Sequence, residues 1–376
     1  MLKIAVIGAG VAGLSVANLL ARAGHEVCIF ERNQSIRAIG AGIQISPNGF
    51  CVLKELDLSE NIIPNSLCNN SILICDYQDG DRLIQFNQKS VLGNANFRLI
   101  HRADLINSLY QSAVKNKVSF HLGCTVNANL ISDQYSFVIA ADGAHSKTRS
   151  LLNPYQNNSI RSDYFAWRSI VPNQVGHHDG VRITVAPKKH IVSYPLRNRE
   201  QLNLVLIQEA DNDEIFEWGM SENPKKIRNI FSEFGGDLKD TLGYIETVQK
   251  WGLSSHDIPF NWAQKNIFLI GDALHPMLPF LAQGANAALE DSFILAKLIA
   301  SNDPSEVAEK YVDIRKPRLL RLIKQIKNNA WKFHLEHSFF RNCAHTGLHF
   351  LDKTFPQSAG LPFRWLYNYD VTNLEI

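Results

Sequence analysis

Residues 3–31 read KIAVIGAGVAGLSVANLLARAGHEVCIFE. Lys3–Ile7 is apolar beyond its first residue and reads as a strand. Gly8, Gly10 and Gly13 then set G-x-G-x-x-G at its end, and the run that follows predicts a helix to Ala23. Gly24 closes that helix at the C′ position. Val27–Phe30 is the next strand, with Glu31 at its end. Strand before, helix after and an acid about twenty residues on give the motif the context that dinucleotide binding needs. The glycines allow the tight turn and let a pyrophosphate approach the helix N-terminus. Glu31 is placed to bond the hydroxyls of an adenosine ribose and to repel a 2′-phosphate. The plainer alternative is close packing of a helix on a strand, with nothing bound.

The chain around this stretch has 376 residues, enough for two domains. It is 45% hydrophobic and 20% charged, a globular composition. A net charge of +2 gives no argument for a nucleic-acid partner. The six cysteines form no CxxC and no zinc spacing, so reduced thiols are expected. Ile4–Ala23 carries only Arg22 as a charge, but its glycines break it as a signal peptide. No other segment offers about 18 uninterrupted apolar residues, so a soluble, cytoplasmic protein is expected.

Two more stretches repeat the logic of the first. Phe137–Ala141 reads as a strand that runs into Asp142-Gly143 and then into a helix start bearing Ser146 and Arg149. Ile267–Ile270 reads as a short buried strand that meets Gly271-Asp272, leaving a carboxylate at the strand's carboxyl end. Pro276 and Pro279 stiffen the next loop, and an alanine-rich helix begins after Gln283-Gly284. Its first turn offers unpaired N–H groups to an electron-rich ligand. Each corner alone also fits an ordinary turn.

The second half of a plain NAD domain does not follow. Arg37–Pro47 is glycine-broken and extended, and a helix is expected over Gly49–Leu56. Residues 72–90 alternate like strands around Asp79-Gly80, and Arg102 opens an amphipathic helix with Leu105, Leu109 and Ala113 on one face. Phe165–Val171, Val181–Val185, His190–Pro195 and Leu202–Ile207 predict an antiparallel sheet in a second domain. Asp213–Phe234 reads as helical, broken near Pro224. Val307–Lys332 reads as a basic helix interrupted at Pro317, its charges on a solvated face, so membrane contact is not expected. His345 and His349 lack an H-E-x-x-H pattern, and no metal site is expected.

As an ordered set the three corners are more specific than any one. G-A-G-V-A-G with Glu31, A-D-G-A-H-S-K-T-R at 141–149 and G-D-A-L-H-P at 271–276 resemble the motifs of single-component flavin-dependent aromatic hydroxylases. That group includes para-hydroxybenzoate hydroxylase, and the chain resembles its salicylate hydroxylase branch. Gly40-Ala-Gly42-Ile43, His101-Arg102-Ala-Asp-Leu105, Tyr194-Pro195 and Trp365–Asp370 also resemble that branch. The resemblance implies an α/β fold: an FAD-binding Rossmann-like domain of the glutathione-reductase type, an inserted antiparallel β-sheet substrate domain and C-terminal helices. It implies a discontinuous FAD domain over 1–72, 97–160 and 262–330, a substrate domain over 73–96 and 161–261, and a helical tail over 331–376. Glu31 would serve the adenosine ribose, with Gly8, Gly10, Gly13 and Arg32 around it. Arg102, Gly42 and Ile43 would lie against the cofactor, and Asp142 at the FAD/NAD(P)H corner. Asp272 would take the ribityl–pyrophosphate part, and Gly284, Ala285 and Asn286 the flavin pyrimidine. The 122–137 segment is shorter than the family's strand meander, and Ala282 stands where a glycine is common.

The activity so implied uses NADH or NADPH to reduce FAD and O2 to form a flavin C4a-hydroperoxide. That species hydroxylates a small aromatic acid bearing a phenol or amine. His190 and Tyr194 are candidate catalytic residues, since their spacing puts both on one face of a sheet strand. Sheet packing is the alternative for both. Two other activities remain open: oxidation of a lipid or quinone precursor, and flavin-bound sensing without turnover. A monomer or homodimer is expected.

Overall fold

The computed structural model describes residues 1–36, 41–88, 92–93, 95–156, 163–210, 219–253, 257–301 and 303–375. Gly40 and the rest of 37–40 therefore lie outside the described residues, as does 213–218 of the expected helix. Lys3–Ile7 is the middle of a six-stranded sheet. Glu26–Glu31 and then Ser119–Leu122 pair on one side of it; Phe137–Ala140 and then Ile267–Leu269 pair on the other, all in parallel. Ala263–Gln264 adds a short antiparallel edge. The inner strands are buried on both faces, which is why their sequences run apolar without alternation.

Helix Val11–Arg22 and helix Gly284–Ser301 cross against this sheet at small residues. A side chain at Gly271 would stand 2.9 Å from Ala12 Cβ and 3.3 Å from Ala288 Cβ, so the alanines set how closely the helices approach. Gly42–Ile45, Arg98–His101 and Ser66–Cys68 form a small antiparallel sheet that leads away from the cofactor half.

The second large sheet has eight strands. Met220–Glu222, Val248–Leu253, Tyr164–Pro172, Gln201–Glu209, Lys189–Leu196 and Val181–Ala186 pair antiparallel in that order. Val181–Ala186 then pairs in parallel with Ser71–Asp76, which turns back into Arg82–Asn87. One face packs Phe165, Trp167, Ile191, Leu204 and Leu206 under helices Pro224–Ile230 and Asp237–Gly243. The other face looks toward the cofactor half. The described residues thus have the fold expected: an α/β core on a parallel sheet, an inserted, mostly antiparallel sheet, and helices at the C-terminal end.

Three expectations need correction. Within 213–234 the described part holds strand Met220–Glu222 before the helix, because it pairs along the open edge of Val248–Leu253. Val307–Phe333 runs unbroken through Pro317. Proline forfeits a hydrogen bond there, but Arg315 and Arg318 on either side are clamped by buried carboxylates, and Leu319 and Leu322 are fully buried. The basic cluster in this helix is accordingly divided: Arg315 and Arg318 face inward, while Lys316, Arg321, Lys324, Lys327 and Lys332 stay at the surface or near it. Between Leu122 and Phe137 the chain forms the short helix Ala128–Ile131 and a 3-10 turn in place of a meander.

Among the described residues no helix is long and apolar enough to cross a membrane, and no group of three or more ligating side chains could hold a metal ion. His345 instead reaches Asp76 at 2.9 Å and ties the tail helix Ser338–Thr354 to the sheet edge. All six cysteines are free thiols.

Candidate active site

The first strand ends in Gly8, whose φ of +101° only glycine adopts readily. A Cβ at Gly8 would strike the Ala141 carbonyl, and one at Gly13 would strike the Gly8 carbonyl. Gly10, by contrast, faces open space where a ligand can approach the backbone at the helix start. Glu31 Oε2 accepts from Ala9 N at 2.8 Å, and Oε1 accepts from Asn33 N and Nδ2 at 2.9 and 2.7 Å. The carboxylate is thereby fixed beside the glycine turn. Arg32 is exposed and close enough to His145 to help lower that imidazole's pKa, after burial and Arg149.

The strand Phe137–Ala140 ends beside it. Asp142 Oδ2 accepts from Thr148 N at 3.3 Å and from Thr148 Oγ1 at 3.2 Å, while its Oδ1 is buried with no partner among the described residues. A buried carboxylate oxygen left in that state is costly unless a ligand donates to it. Ser146 caps the next helix, accepting from Arg149 N at 2.9 Å. The Arg149 guanidinium donates to the carbonyls of Ala144, Asp272 and Ala273 at 2.5, 3.2 and 3.0 Å, so it staples the second corner to the third.

At the third corner Gly271 turns with φ +58°. Its N–H donates to Asp291 Oδ2 at 2.9 Å, and His275 Nε2 lies 2.5 Å from the same oxygen. Arg315 bonds Asp291 at 2.8 Å and Glu290 at 2.7 Å, and Arg318 bonds Glu290 at 2.9 Å. Asn48 donates to Glu290 at 2.6 Å and to Gln283 at 3.0 Å. This wholly buried network holds the helix start Gly284–Asn286 against the loop. Asn286 is itself engaged: Oδ1 accepts from Ser46 N at 3.0 Å, and Nδ2 donates to Gln44 O and Ala282 O. Its side chain is spent on holding the strand Gly42–Ile45, which leaves backbone N–H groups as what the Gly284–Asn286 turn can offer a ligand.

Asp272 makes no side-chain hydrogen bond among the described residues. Its carboxylate retains open surface, yet enough protein surrounds it that burial raises its pKa, with His275, Arg102, Arg149 and Arg168 pulling the other way. Arg102 and Arg168 likewise have no hydrogen-bonded partner among the described residues. Burial lowers the pKa of Arg168, against the nearby Tyr194 and Asp272.

The sheet face opposite carries the substrate-side candidates. Alternation along Lys189–Leu196 puts His190, Val192 and Tyr194 on one face, and the register aligns Val192 with Val205 and Arg168, and Tyr194 with Asn203 and Ile170. Tyr194 lies flush on the backbone of Gly42; any side chain there would meet its ring at 2.5 Å. Asn203 Oδ1 accepts from Gly42 N at 2.7 Å, while Asn203 Nδ2 is buried with no partner among the described residues. Burial raises the Tyr194 pKa, with Arg168 opposing it. His190 is enclosed by Phe280, Phe333 and His334, and burial, helped by His334, holds its pKa well below the ordinary value. Ile43 is half-buried on the strand that joins the two halves.

The predicted residues thus fall in two groups: the glycines, Glu31, Asp142 and Asp272 at three adjacent strand ends, and His190 with Tyr194 across from them. Arg168, Asn203, Asn48 and Gln283 were not anticipated. Arg168 shares strand parity with Tyr164 and Ala166, but its alignment with Val192, the neighbour of Tyr194 on the same face, follows only from the pairing register, which sequence alternation does not supply.

A family model described as "FAD binding domain" matches residues 1–325. The chain belongs to this family, and it is an FAD-dependent flavoprotein monooxygenase that uses NAD(P)H and O2. It is 30% identical over 354 residues to a 3-amino-4-hydroxybenzoate 2-monooxygenase of Streptomyces cremeus, covering 89% of this chain and 88% of that one. It is 24% identical over 380 residues to a 3-hydroxybenzoate 6-hydroxylase of Klebsiella oxytoca, covering 91% and 95%. The fold superimposes on a salicylate hydroxylase substrate complex with a TM-score of 0.79 at 20% identity, over 99% of this chain and 96% of that one.

Proposed function

We propose that this enzyme hydroxylates a small aromatic acid bearing a phenol or an amine, in the crevice between the three strand-end corners and the sheet face of His190 and Tyr194. The observation that carries this reading is the polar set lining that crevice: Asp142 Oδ1, buried with no partner among the described residues, together with Asp272, Arg102 and Arg168, whose side chains make no hydrogen bond among those residues. A buried carboxylate oxygen without a partner is expensive in a finished fold, and a polar cofactor with an anionic substrate would satisfy it and engage the charged side chains beside it. The similarity to enzymes named for hydroxybenzoates and aminohydroxybenzoates supports the same substrate class.

In this reading FAD, when bound, supplies the electron transfer and oxygen activation. The residues do the rest. Glu31 holds the adenosine ribose, with Gly8, Gly10 and Gly13 admitting the pyrophosphate and Arg32 at the rim. Asp272 bonds the ribityl–pyrophosphate part, Asp142 the corner shared with NAD(P)H, and Arg102 an electron-rich edge of the cofactor. Gly42 and Ile43 carry backbone past the ring, and Gly284, Ala285 and Asn286 present the helix N-terminus to its pyrimidine. His190 and Tyr194 orient the substrate ring, and His190 accepts its acidic proton. The cofactor half then spans 1–72, 97–160 and 262–330, the substrate half 73–96 and 161–261, and the tail 331–376.

The test is product mass under isotopically labelled dioxygen with a panel of hydroxy- and aminobenzoates, beside peroxide yield. One labelled oxygen atom in an aromatic product is expected. A panel that yields only peroxide would end the aromatic reading.

A further inference from the structure

A line of three polar side chains leaves the substrate face of the large sheet and reaches the surface. His190, 1% exposed, places Nδ1 2.7 Å from Nε2 of His334. His334 Nδ1 lies 3.1 Å from Oε1 of Glu209, whose side chain is 38% exposed. Glu209 opens on a surface pocket of about 450 Å³, shared with Lys188, Lys189, Gln208 and Glu233. Around the two imidazoles the packing is aromatic: Phe280 and Phe333 at 5.1 and 5.4 Å from the His190 ring, and Tyr164 at 5.5 Å from that of His334. Water therefore reaches this line through Glu209.

Hydrogen-bond donors and acceptors fix its direction. The Glu209 carboxylate accepts from Nδ1–H of His334. With a neutral His334 ring, Nε2 then bears a lone pair and accepts from Nδ1–H of His190. That leaves Nε2 of His190 as a lone pair, and this atom has no hydrogen-bond partner among the described residues. An arrangement meant only to fill a core would not present a bare base on the inside and a carboxylate outside.

We propose that His190, His334 and Glu209 form a proton relay between the substrate and solvent. The proposal rests on the hydroxylase reading above and extends it to two residues that do not touch the substrate. The substrate O–H bond breaks as the proton joins Nε2 of His190. The Nδ1 proton of His190 passes to Nε2 of His334, the Nδ1 proton of His334 passes to Glu209, and water in the pocket removes it. No electrons change hands. His334 and Glu209 are positioning residues that keep the receiving nitrogen of His190 empty. The charged and titratable groups facing them are Asp163 and Tyr164 on the adjoining strand, Lys188 paired with Glu336 at 3.1 Å, and Lys189 paired with Glu233 at 3.3 Å.

Nitrogen-15 NMR of histidine-labelled, FAD-loaded enzyme from pH 5.5 to 9 reads the resting line without turnover. Wild type should show His190 neutral and protonated at Nδ1; Glu209→Ala should convert it to a mixture of tautomers. In turnover with whichever aromatic acid yields labelled product, Glu209→Ala should lower kcat about tenfold or more. KM should stay within about twofold, and added formate, a diffusible acceptor that the pocket admits, should restore part of the loss. His334→Phe should show the same kcat loss without formate rescue. A His190 protonated at Nε2, or Glu209→Ala with unchanged tautomer and unchanged pH profile, overturns the relay. If no aromatic is hydroxylated the hydroxylase reading fails separately, and the relay as a turnover device fails with it.

Discussion

Ala282 sits at φ +53°, in the left-handed region that side chains avoid, just before the helix start Gly284. Its carbonyl is held by Asn286 Nδ2 at 2.9 Å and its N–H by the Pro279 carbonyl at 3.2 Å, so the surroundings impose the conformation. For an alanine this costs about 1–2 kcal/mol, and a glycine would avoid it at the price of a freer unfolded chain. Ala282→Gly should therefore raise stability by about 1 kcal/mol, read as a higher urea midpoint with an unchanged slope. A lower midpoint would mean that the methyl group makes compensating contacts. The resemblance singled out this position because a glycine is common there, but only the backbone angle supplies the physical reason.

At the scale of elements, the helix Val307–Phe333 buries Tyr311, Leu319 and Leu322 and is tied as well by two arginines. Arg315 is fully buried between Glu290 and Asp291 of helix Gly284–Ser301, and Arg318 shares Glu290. Removing one partner from such a network strands the others without solvent. Arg315→Met should cost about 3–5 kcal/mol, whereas Lys324→Ala, on the same helix at its surface, should change stability by less than about 0.5 kcal/mol. Thermal or urea unfolding of both variants checks the contrast; equal losses would refute it. The sequence showed the helix but not this division, because charge counting cannot tell which arginines meet carboxylates 24–28 positions away. By the same limit, the three strand-ending corners could be read from glycine and acid spacing, which are local. The His190–His334 contact could not, since 144 residues separate the two.

For the whole molecule, Asp291 is where the halves of the cofactor crevice are tied: the Gly271 turn, His275 in the loop and Arg315 on the covering helix all meet its carboxylate. Burial alone would raise its pKa, but His275 and Arg315 bring it down to about 2. A carboxylate whose pKa is depressed in the folded state stabilises it above its unfolded value, near 3.9, and that contribution fades as pH falls toward 2. The enzyme should lose stability of order 2 kcal/mol between about pH 4 and pH 2 from this group alone. Asp291→Asn should be less stable at neutral pH and show a shallower loss across that window. Urea unfolding at stepped pH measures it, and parallel curves for the two proteins would remove Asp291 from the account.

The strand order also sets a timetable for synthesis. Every strand of the eight-stranded sheet lies between Ser71 and Leu253, whereas the six-stranded sheet waits for Ile267–Leu269 to dock beside Phe137–Ala140. A ribosome delivering this chain releases the complete eight-stranded sheet first, while the glycine turn near the N-terminus stands open beside an unfinished neighbour. Until the last parallel strand arrives, the exposed edge of Phe137–Ala140 is a template for the wrong partner. The nascent enzyme is thus most in need of a chaperone in the short interval before its third corner emerges.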